Sequence, residues 1–452
     1  MLTVLFFLVF LLFSGLLSWR LKTPIETMLP GVACGLLLLS FFGAVCGLMG
    51  PGLYVLLGLP MVLLSIGALR TGDRRKTVID TYVLTPGLLL FLLLAGFFFL
   101  YSKDLVLSQW DEFSHWGVTI KDMYLRDRLS TDAAACTEFK TYPPMIALWG
   151  YLFTRPLPEF QIGVAYFAYN LFLVLLLLPM VQDLPRKRTW VLLPGALILY
   201  LLPFLFNELY GGHCWMTLHS DHWLALLFGY VLLSYFGARD KDAVVYWRTA
   251  LGLGVLCLSK SIGVYLGVMA LLVIFLDTYS RSTGHLRRQR LFISAKICSV
   301  LLLPLVVLPL IWKLHLHLVG TPDTWDTGSM SLSQLILLLT GRADPWFYSF
   351  WGDFKYRLLC IPALSQPGLI GLPYMLYPLL WLSLELARWL LYDRPDGAKK
   401  PALGRWLVLT LGYVSYALSL YLCYLFLFAH DEALRFAAME RYLAVYWLGV
   451  TV

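Results

Sequence analysis

Apolar runs of membrane-crossing length recur along this chain of 452 residues. Hydrophobic residues make up 60% of the sequence and charged residues only 14%, whereas a soluble domain carries about 25% charged residues. An α-helix needs about 17 to 25 mostly apolar residues to cross the hydrocarbon core of a bilayer. In lipid, each backbone N–H and C=O must be bonded within the structure, which a helix achieves by itself. The sequence therefore predicts an all-α, polytopic membrane protein.

The apolar runs predict about 13 transmembrane helices. They lie near residues 2–19, 28–48, 53–69, 83–101, 160–182, 190–208, 222–237, 248–259, 261–278, 292–313, 364–386, 404–428 and 442–452. The stretch 248–278 is expected either as two short helices around Lys260 or as one long kinked helix. The first run lacks a basic flank and a small-residue cleavage site, so we expect a retained helix and not a signal peptide. Whether the chain continues beyond Val452 is left open.

The basic residues fall in alternate short connections, for example at 70–76, 186–188 and 281–290. Lysine and arginine of this kind mark cytoplasmic loops. The two long connections, 102–159 and 314–363, then both lie on the extracytoplasmic side. Although the formal net charge is +8, it is spread over these loops and forms no basic patch, so we expect no nucleic-acid partner. The sequence predicts a multi-pass protein of the cell membrane.

An acidic cluster, Asp111-Glu112 with His115 close behind, follows a nearly pure hydrocarbon run. On a helix Asp111 and His115, four residues apart, would share a face. Adjacent carboxylates repel each other, which favours one of them as a general base. The cluster could also hold a divalent metal, although two acids and one histidine specify no particular ion. The alternative is a solvated first turn of an interfacial helix.

Two further motifs lie at the predicted outer side. Tyr142-Pro143-Pro144 precedes an apolar stretch at 145–154 and marks a helix start, since proline is suited to the first helical turn. Lys260, in Leu258-Ser259-Lys260-Ser261, lies between two apolar runs. A lysine at membrane depth usually has a partner, and on this side a lipid phosphate would suit it. The alternative for Lys260 is a side chain that extends to the interface.

Several other polar residues lie at the predicted outer ends of the spans. His219 and Asp221 precede the helix near 222 in a spacing that fits no standard zinc motif, and Asp221 could instead cap that helix. Arg342 and Arg441 offer the forked donors that suit phosphate. Taken together, the candidate binding residues for an anionic lipid head group are His115, Tyr142, His219, Asp221, Lys260, Arg342, Arg441 and Tyr442.

The order of these motifs resembles the GT-C superfamily of membrane glycosyltransferases, which take sugars from polyprenyl-phosphate carriers. The segment from Asp111 to Gly117 is similar to the Asp-Glu-x-His-aromatic-Gly of protein O-mannosyltransferases, although the histidine stands one residue further from the acids. Tyr142-Pro143-Pro144 resembles the Pro-Pro of that group and of the aminoarabinose transferases. Leu258-Ser259-Lys260 is similar to their Leu-Thr-Lys, and Arg441-Tyr442 to a late Arg-Tyr. The resemblance covers about residues 83–363.

The resemblance implies a GT-C-like catalytic module at 82–363, whose outer loops at 102–159 and 314–363 bear short interfacial helices. Three extra helices would precede it in 1–81, and further helices would follow in 364–452. It implies an inverting transfer of a sugar from polyprenyl phosphate to an acceptor hydroxyl of a glycan, lipid or protein on the outer face.

The same resemblance assigns roles to individual residues. Asp111 would be the general base, with Glu112 as the second catalytic acid. Lys260 and Arg441, and less centrally Arg342, would stabilise the departing phosphate. No cofactor is certain, and a divalent metal stays an open alternative.

Three other functions fit the composition. A polysaccharide polymerase or ligase would depend on outer-loop arginines more than on an early acid pair. A transporter or flippase for a lipid-linked glycan would place ionisable residues inside the spans and show internal symmetry, which the sequence does not. A scaffold would have no need of Asp111.

Overall fold

The computed structural model describes residues 2–71, 76–185, 192–201, 213–238, 241–282, 286–321, 332–360, 380, 383–384, 399–428 and 430–452. Within these ranges the regular structure is entirely helical, with no β-strand. The prediction of an all-α membrane protein is confirmed at this level.

The helices of the first half are α1 (Leu2–Leu21), α2 (Ile25–Val45), α3 (Pro51–Thr71), α4 (Lys76–Tyr82), α5 (Pro86–Ser102), α6 (Gly117–Arg126), α7 (Met145–Thr154), α8 (Ile162–Leu177) and α9 (Leu192–Leu201). Those of the second half are α10 (Ser220–Phe236), α11 (Ala243–Cys257), α12 (Ile262–Arg281), α13 (Arg287–Val319), α14 (Leu332–Leu339), α15 (Pro345–Cys360), α16 (Lys399–Phe426), α17 (His430–Arg435) and α18 (Met439–Thr451). A π-helical turn, Glu112–Trp116, leads into α6.

Seven helices in the described ranges are long and apolar enough to cross a membrane. They span Thr3–Leu21, Ile25–Val45, Pro51–Arg70, Ile162–Val181, Ile262–Arg281, Arg287–Val319 and Gly404–Phe426. Four further apolar helices, α5, α7, α9 and α11, have only 10 to 17 residues. The count of about 13 spans is therefore not confirmed, and the predicted run at 364–386 lies almost wholly outside the described residues.

The stretch around Lys260 folds as two helices, α11 and α12, and not as one kinked helix. The chain turns tightly between them, and Gly263 N–H bonds the Lys260 carbonyl at 2.8 Å. A Cβ on Gly263 would lie 1.9 Å from the Leu256 carbonyl oxygen, so only glycine fits at this position. The break therefore fixes Lys260 at the junction of two helices.

The long connection at 102–159 contributes a helix to the hydrophobic core. Its last helix, α7, is buried along its whole length and packs on α2, α6 and α8. Trp149 donates its indole N–H to the Ala168 carbonyl at 2.6 Å. Because α7 is part of the hydrophobic core, the position of the Pro143-Pro144 segment directly before it is fixed.

The C-terminal helix α18 packs more extensively on α10 than any other pair of described helices. Two glycines allow this close approach. A Cβ on Gly449 would lie 2.7 Å from the Ala225 carbonyl oxygen, and a Cβ on Gly229 would lie 2.8 Å from the Gly449 carbonyl oxygen. Small residues let helix backbones approach within a membrane, where van der Waals packing drives association. This crossing brings the first turn of α18 to the first turn of α10.

We predict that Gly449→Ala lowers the melting temperature of the purified protein in detergent. The added methyl group would also meet Phe228 Cδ1 at 2.6 Å, and overpacking of this kind costs about 1–3 kcal/mol. The control is Gly96→Ala in α5, where a Cβ meets nothing within 4 Å and alanine slightly favours the helix. Equal melting temperatures for the two variants would contradict the close crossing.

Candidate functional site

Arg441, in the first turn of α18, forms ion pairs with two carboxylates from separate parts of the chain. Its Nε lies 2.8 Å from Asp221 Oδ2, and its Nη1 lies 3.0 Å from Asp111 Oδ2. The Asp221 side chain is 6% exposed and the Asp111 side chain 31% exposed. One guanidinium therefore joins α10, α18 and the segment that enters α6, and of the two acids Asp111 is the one that solvent or a ligand can reach.

His219 lies between these charges, at the residue that precedes α10. Its Nδ1 is 3.3 Å from Arg441 Nη1, and its Nε2 is 3.7 Å from Asp111 Oδ2. Burial lowers the pKa of His219, and the positive charge of Arg441 lowers it further. We infer that the neutral imidazole of His219 helps to position Arg441 and Asp111 relative to each other.

Lys260 adds a second cation at the same end of the bundle. Its Nζ donates to Ser220 Oγ at 3.2 Å and lies over the rings of Tyr142, at 5.9 Å, and Tyr442, at 5.4 Å. Arg441 Cζ lies 5.2 Å from the centre of the same Tyr442 ring. Among the described residues, no carboxylate lies within ion-pair distance of Lys260. The lysine therefore presents a positive charge that the protein itself does not neutralise at close range.

Hydrogen bonds between the motifs fix the position of Lys260. The Met145 N–H, directly after Pro144, bonds the Leu258 carbonyl at 3.4 Å. Trp223 in α10 donates its indole N–H to Ser259 Oγ at 2.9 Å. The Pro-Pro motif and the lysine motif are thus neighbours in space, although more than 110 residues separate Met145 from Leu258 in the sequence.

Glu112 is completely buried, and its carboxylate is fully used in bonds within the protein. Oε2 accepts from the backbone N–H groups of Ser108 and Gln109, at 2.9 and 3.0 Å. Oε1 accepts from Tyr166 Oη at 2.8 Å and from the Leu218 N–H at 2.9 Å. Glu112 therefore connects the start of the π turn to α8 and to the segment before α10. In this position its carboxylate supports the site and has no oxygen available to a substrate.

We predict that Glu112→Gln destabilises the fold by about 2 to 4 kcal/mol, because the new amide NH₂ would face donors in a buried position. Thermal unfolding in detergent measures the effect. Glu138→Gln is the matched control, since Glu138 is exposed on the same connection. A Glu112→Gln protein as stable as wild type would contradict a supporting role.

His115 bonds to threonine hydroxyls and contacts neither of the two acids among the described residues. Its Nδ1 is 2.7 Å from Thr137 Oγ1 and 3.3 Å from Thr119 Oγ1, and its ring packs against Tyr142 with centroids 4.9 Å apart. Because Glu112–Trp116 forms a π-helical turn, the α-helical spacing behind the expectation that Asp111 and His115 share a face does not apply here. His115 instead supports the Tyr142 ring beneath Lys260.

Burial lowers the pKa of His115 to about 3, and the nearby charge of Lys260 contributes. The unfolded chain therefore binds a proton near pH 6.5 that the folded protein does not bind. This group's contribution to stability is complete above pH 6.5 and is lost progressively as the pH falls from there towards 3. We predict that wild type loses about 2 kcal/mol more than His115→Asn between pH 6.5 and 5.

Melting temperatures measured across this pH range test the prediction. His317→Asn, at an exposed position near the end of α13, is the matched control for replacing a histidine by asparagine. Parallel curves for wild type and His115→Asn would show that His115 is not buried as a neutral ring.

Tyr442 joins the cluster, whereas Arg342 does not. The hydroxyl of Tyr416 in α16 donates to the Tyr442 carbonyl at 2.9 Å, which anchors the start of α18. Arg342 is exposed in the turn after α14 and contacts none of the cluster residues within the described part of the chain. Arg342 was nominated from the sequence only by its residue type and its predicted side of the membrane.

The second long connection reaches the edge of the site through a different arginine. Arg357 of α15 lies 3.8 Å from Glu440 Oε1, beside Arg441, and its guanidinium lies over the Phe436 ring at 4.8 Å. Sequence reasoning also missed Ser220, Thr119 and Thr137, since isolated hydroxyl residues give no recognisable pattern. Only the presence of Ser220 directly before Asp221 hinted at a role.

No group of three or more histidine, cysteine, aspartate or glutamate side chains in the described residues is arranged to hold a metal ion. Comparison with protein-family models, with curated proteins and with solved structures found no match.

Proposed function

We propose that this protein is an inverting glycosyltransferase of the GT-C type, which moves a sugar from a polyprenyl-phosphate carrier to an acceptor hydroxyl at the extracytoplasmic face of the cell membrane. One observation carries the proposal. A partly exposed carboxylate, Asp111, lies beside two cations, Arg441 and Lys260, of which the lysine has no acidic partner in the described structure. Base-assisted attack by an acceptor hydroxyl and departure of a phosphate need a base and cations side by side.

The chemistry assigned to Asp111 is proton removal. Its carboxylate accepts the proton of the acceptor hydroxyl as that oxygen forms a bond to the anomeric carbon of the sugar. The bond from the same carbon to the phosphate oxygen breaks, and its electron pair leaves with polyprenyl phosphate. Attack from the face opposite the leaving group inverts the anomeric centre. A base placed within hydrogen-bond reach of the reacting group typically contributes about 10² to 10⁴ in rate.

The cations stabilise the negative charge that grows on the leaving phosphate. Lys260 is suited to this role because its ammonium is fixed by Ser220 and by two aromatic rings. Arg441 presents a planar fork that matches two phosphate oxygens. Both cations lie against Tyr442, which supports placing the phosphate near that ring. A preorganised arrangement of this kind stabilises the transition state without reorganisation during the reaction.

The two adjacent acids receive different roles in this proposal. Asp111 is the base, and Glu112 is a positioning residue that holds the backbone from which Asp111 projects. This assignment follows from the four hydrogen bonds that occupy the Glu112 carboxylate. His219 and Asp221 orient Arg441, and His115 and Tyr142 form the surface beneath Lys260.

We predict that purified protein in lipid nanodiscs releases polyprenyl phosphate from a panel of labelled polyprenyl-phosphate sugars when envelope glycans, lipids or peptides are supplied as acceptors. Asp111→Asn should lower turnover by at least about 100-fold, because the base is lost, without lowering the melting temperature by more than a few degrees. Asp104→Asn is the control, since the Asp104 side chain is 85% exposed near the end of α5. Product analysis should show an inverted anomeric configuration.

The same assay separates the alternatives. Movement of a lipid-linked sugar between leaflets without cleavage would identify a flippase, and it would survive Asp111→Asn. Transfer of a preassembled glycan from a polyprenyl diphosphate, with no use of the monophosphate sugars, would identify a ligase or polymerase. Normal turnover by the Asp111→Asn protein would contradict the assigned base.

A further inference from the structure

Asp111 is held by Arg441 through one of its two carboxylate oxygens. Asp111 Oδ2 pairs with Arg441 Nη1 at 3.0 Å, which turns the carboxylate towards the guanidinium. A phosphate oxygen would use the same Arg441 Nη1 donor that Asp111 occupies. Base and phosphate therefore compete for the same donor, and this competition bears on how the proposed reaction begins.

The two carboxylates on Arg441 differ in how readily they can be displaced. Asp221 lies in the first turn of α10, and its side chain is 6% exposed. Removal of a partner from a buried pair leaves an uncompensated charge, which is costly. The Asp111 side chain is 31% exposed, so water can solvate its carboxylate while an incoming anion takes over the pairing with Arg441. An incoming anion would therefore displace Asp111 and leave Asp221 bound to Nε.

Lys260 supplies the attraction that drives such an exchange. Its ammonium has no acidic partner at close range among the described residues and lies against the same Tyr442 ring as Arg441. A prenyl-phosphate sugar is a phosphodiester with one negative charge, and the prenyl phosphate that it releases is a monoester with between one and two near neutral pH. Either anion can gain contacts with both cations, whereas Asp111 pairs with Arg441, lies near His219 and does not reach Lys260. A second cation thus favours the phosphate over the aspartate on Arg441.

Resting on the proposed function, we propose that the phosphate of a prenyl carrier takes the place of Asp111 on Arg441 and thereby releases the carboxylate to accept the acceptor proton. The exchange makes and breaks only ion pairs, so it needs no co-reactant. Asp221 is the positioning residue that keeps Arg441 in place while its other partner changes. Donor binding then precedes and enables the action of the base, which protects a sugar donor from reaction before the site is assembled.

If Asp111 and the phosphate compete for Arg441, removal of the Asp111 carboxylate should strengthen the binding of a prenyl phosphate. Farnesyl phosphate, a short prenyl monophosphate, is titrated into the full-length protein in nanodiscs by isothermal calorimetry. Asp111→Asn, which removes the competing charge, should bind it about tenfold more tightly than wild type. Asp111→Ser should behave in the same way, which covers the case in which one of the two variants folds poorly. Unchanged or weaker binding by the folded variants overturns the proposal.

A double-mutant cycle separates exchange at Arg441 from a general effect of charge. In an Arg441→Gln background there is no guanidinium for which to compete, so Asp111→Asn should give no gain in affinity. A gain of similar size in both backgrounds would show that Asp111 merely repels the anion and would overturn the exchange. Asp104→Asn, at an exposed position outside the cluster, should bind as wild type does.

Inorganic phosphate is titrated in parallel, since a free anion and a lipid head group share the same chemistry. If the protein binds farnesyl phosphate at least tenfold more tightly than inorganic phosphate, a lipid phosphate is supported as the ligand. Equal affinity for the two would contradict a lipid ligand. Failure of this proposal is distinguishable from failure of the proposed function. If sugar is transferred but Asp111→Asn does not bind farnesyl phosphate more tightly, the proposed function holds and the exchange is wrong. If Asp111→Asn binds more tightly but no sugar is transferred, the exchange holds and the proposed function is wrong.

Discussion

The ion pairs of Arg441 with Asp111 and Asp221 are the interaction on which the candidate site depends. They join three segments that are far apart in the sequence: the entry to α6, the first turn of α10 and the first turn of α18. Each of these polar groups would be costly in a membrane protein if it stood alone. Together they compensate one another, and one of the two acids keeps access to the outside of the bundle.

Backbone packing makes this meeting of charges possible. Gly229 and Gly449 let α10 and α18 approach so closely that Arg441 reaches Asp221. Glu112 fixes the approach of the third segment through four hydrogen bonds, two of them to backbone N–H groups just before the π turn. Tight packing and a saturated buried carboxylate thus hold Arg441 and the segment that carries Asp111, while Asp111 and the nearby Lys260 can respond to a ligand.

The sequence predicted the helical class, and most of the residues nominated from it lie close together in the structure, because a charge beside an apolar run is easy to recognise. Asp111, Lys260 and Arg441 were recognisable as costly charges at the rims of apolar runs. The sequence could not predict that Glu112 is structural, since its partners are mostly backbone groups and a tyrosine from α8. Nor could it predict the π-helical turn at Glu112–Trp116, because hydrophobic periodicity does not mark such a turn.

The number of spans was harder to predict for another physical reason. Hydropathy identifies a run as apolar, but it does not fix the length of the helix: α11, at the run predicted for 248–259, has only 15 residues. Arg342 lies apart from the described cluster, and side and residue type say nothing about distance. His219 and Asp221 both contact Arg441, and the N-cap of α10 is His219 and not Asp221.

The most direct test of the account is an experimental structure of the protein with a prenyl monophosphate bound. The account predicts phosphate density against Tyr442, between Lys260 and Arg441, with Asp221 still paired to Arg441 and Asp111 turned away from it. A phosphate bound at the opposite end of the bundle, or one held here while Asp111 keeps its contact with Arg441, would contradict it.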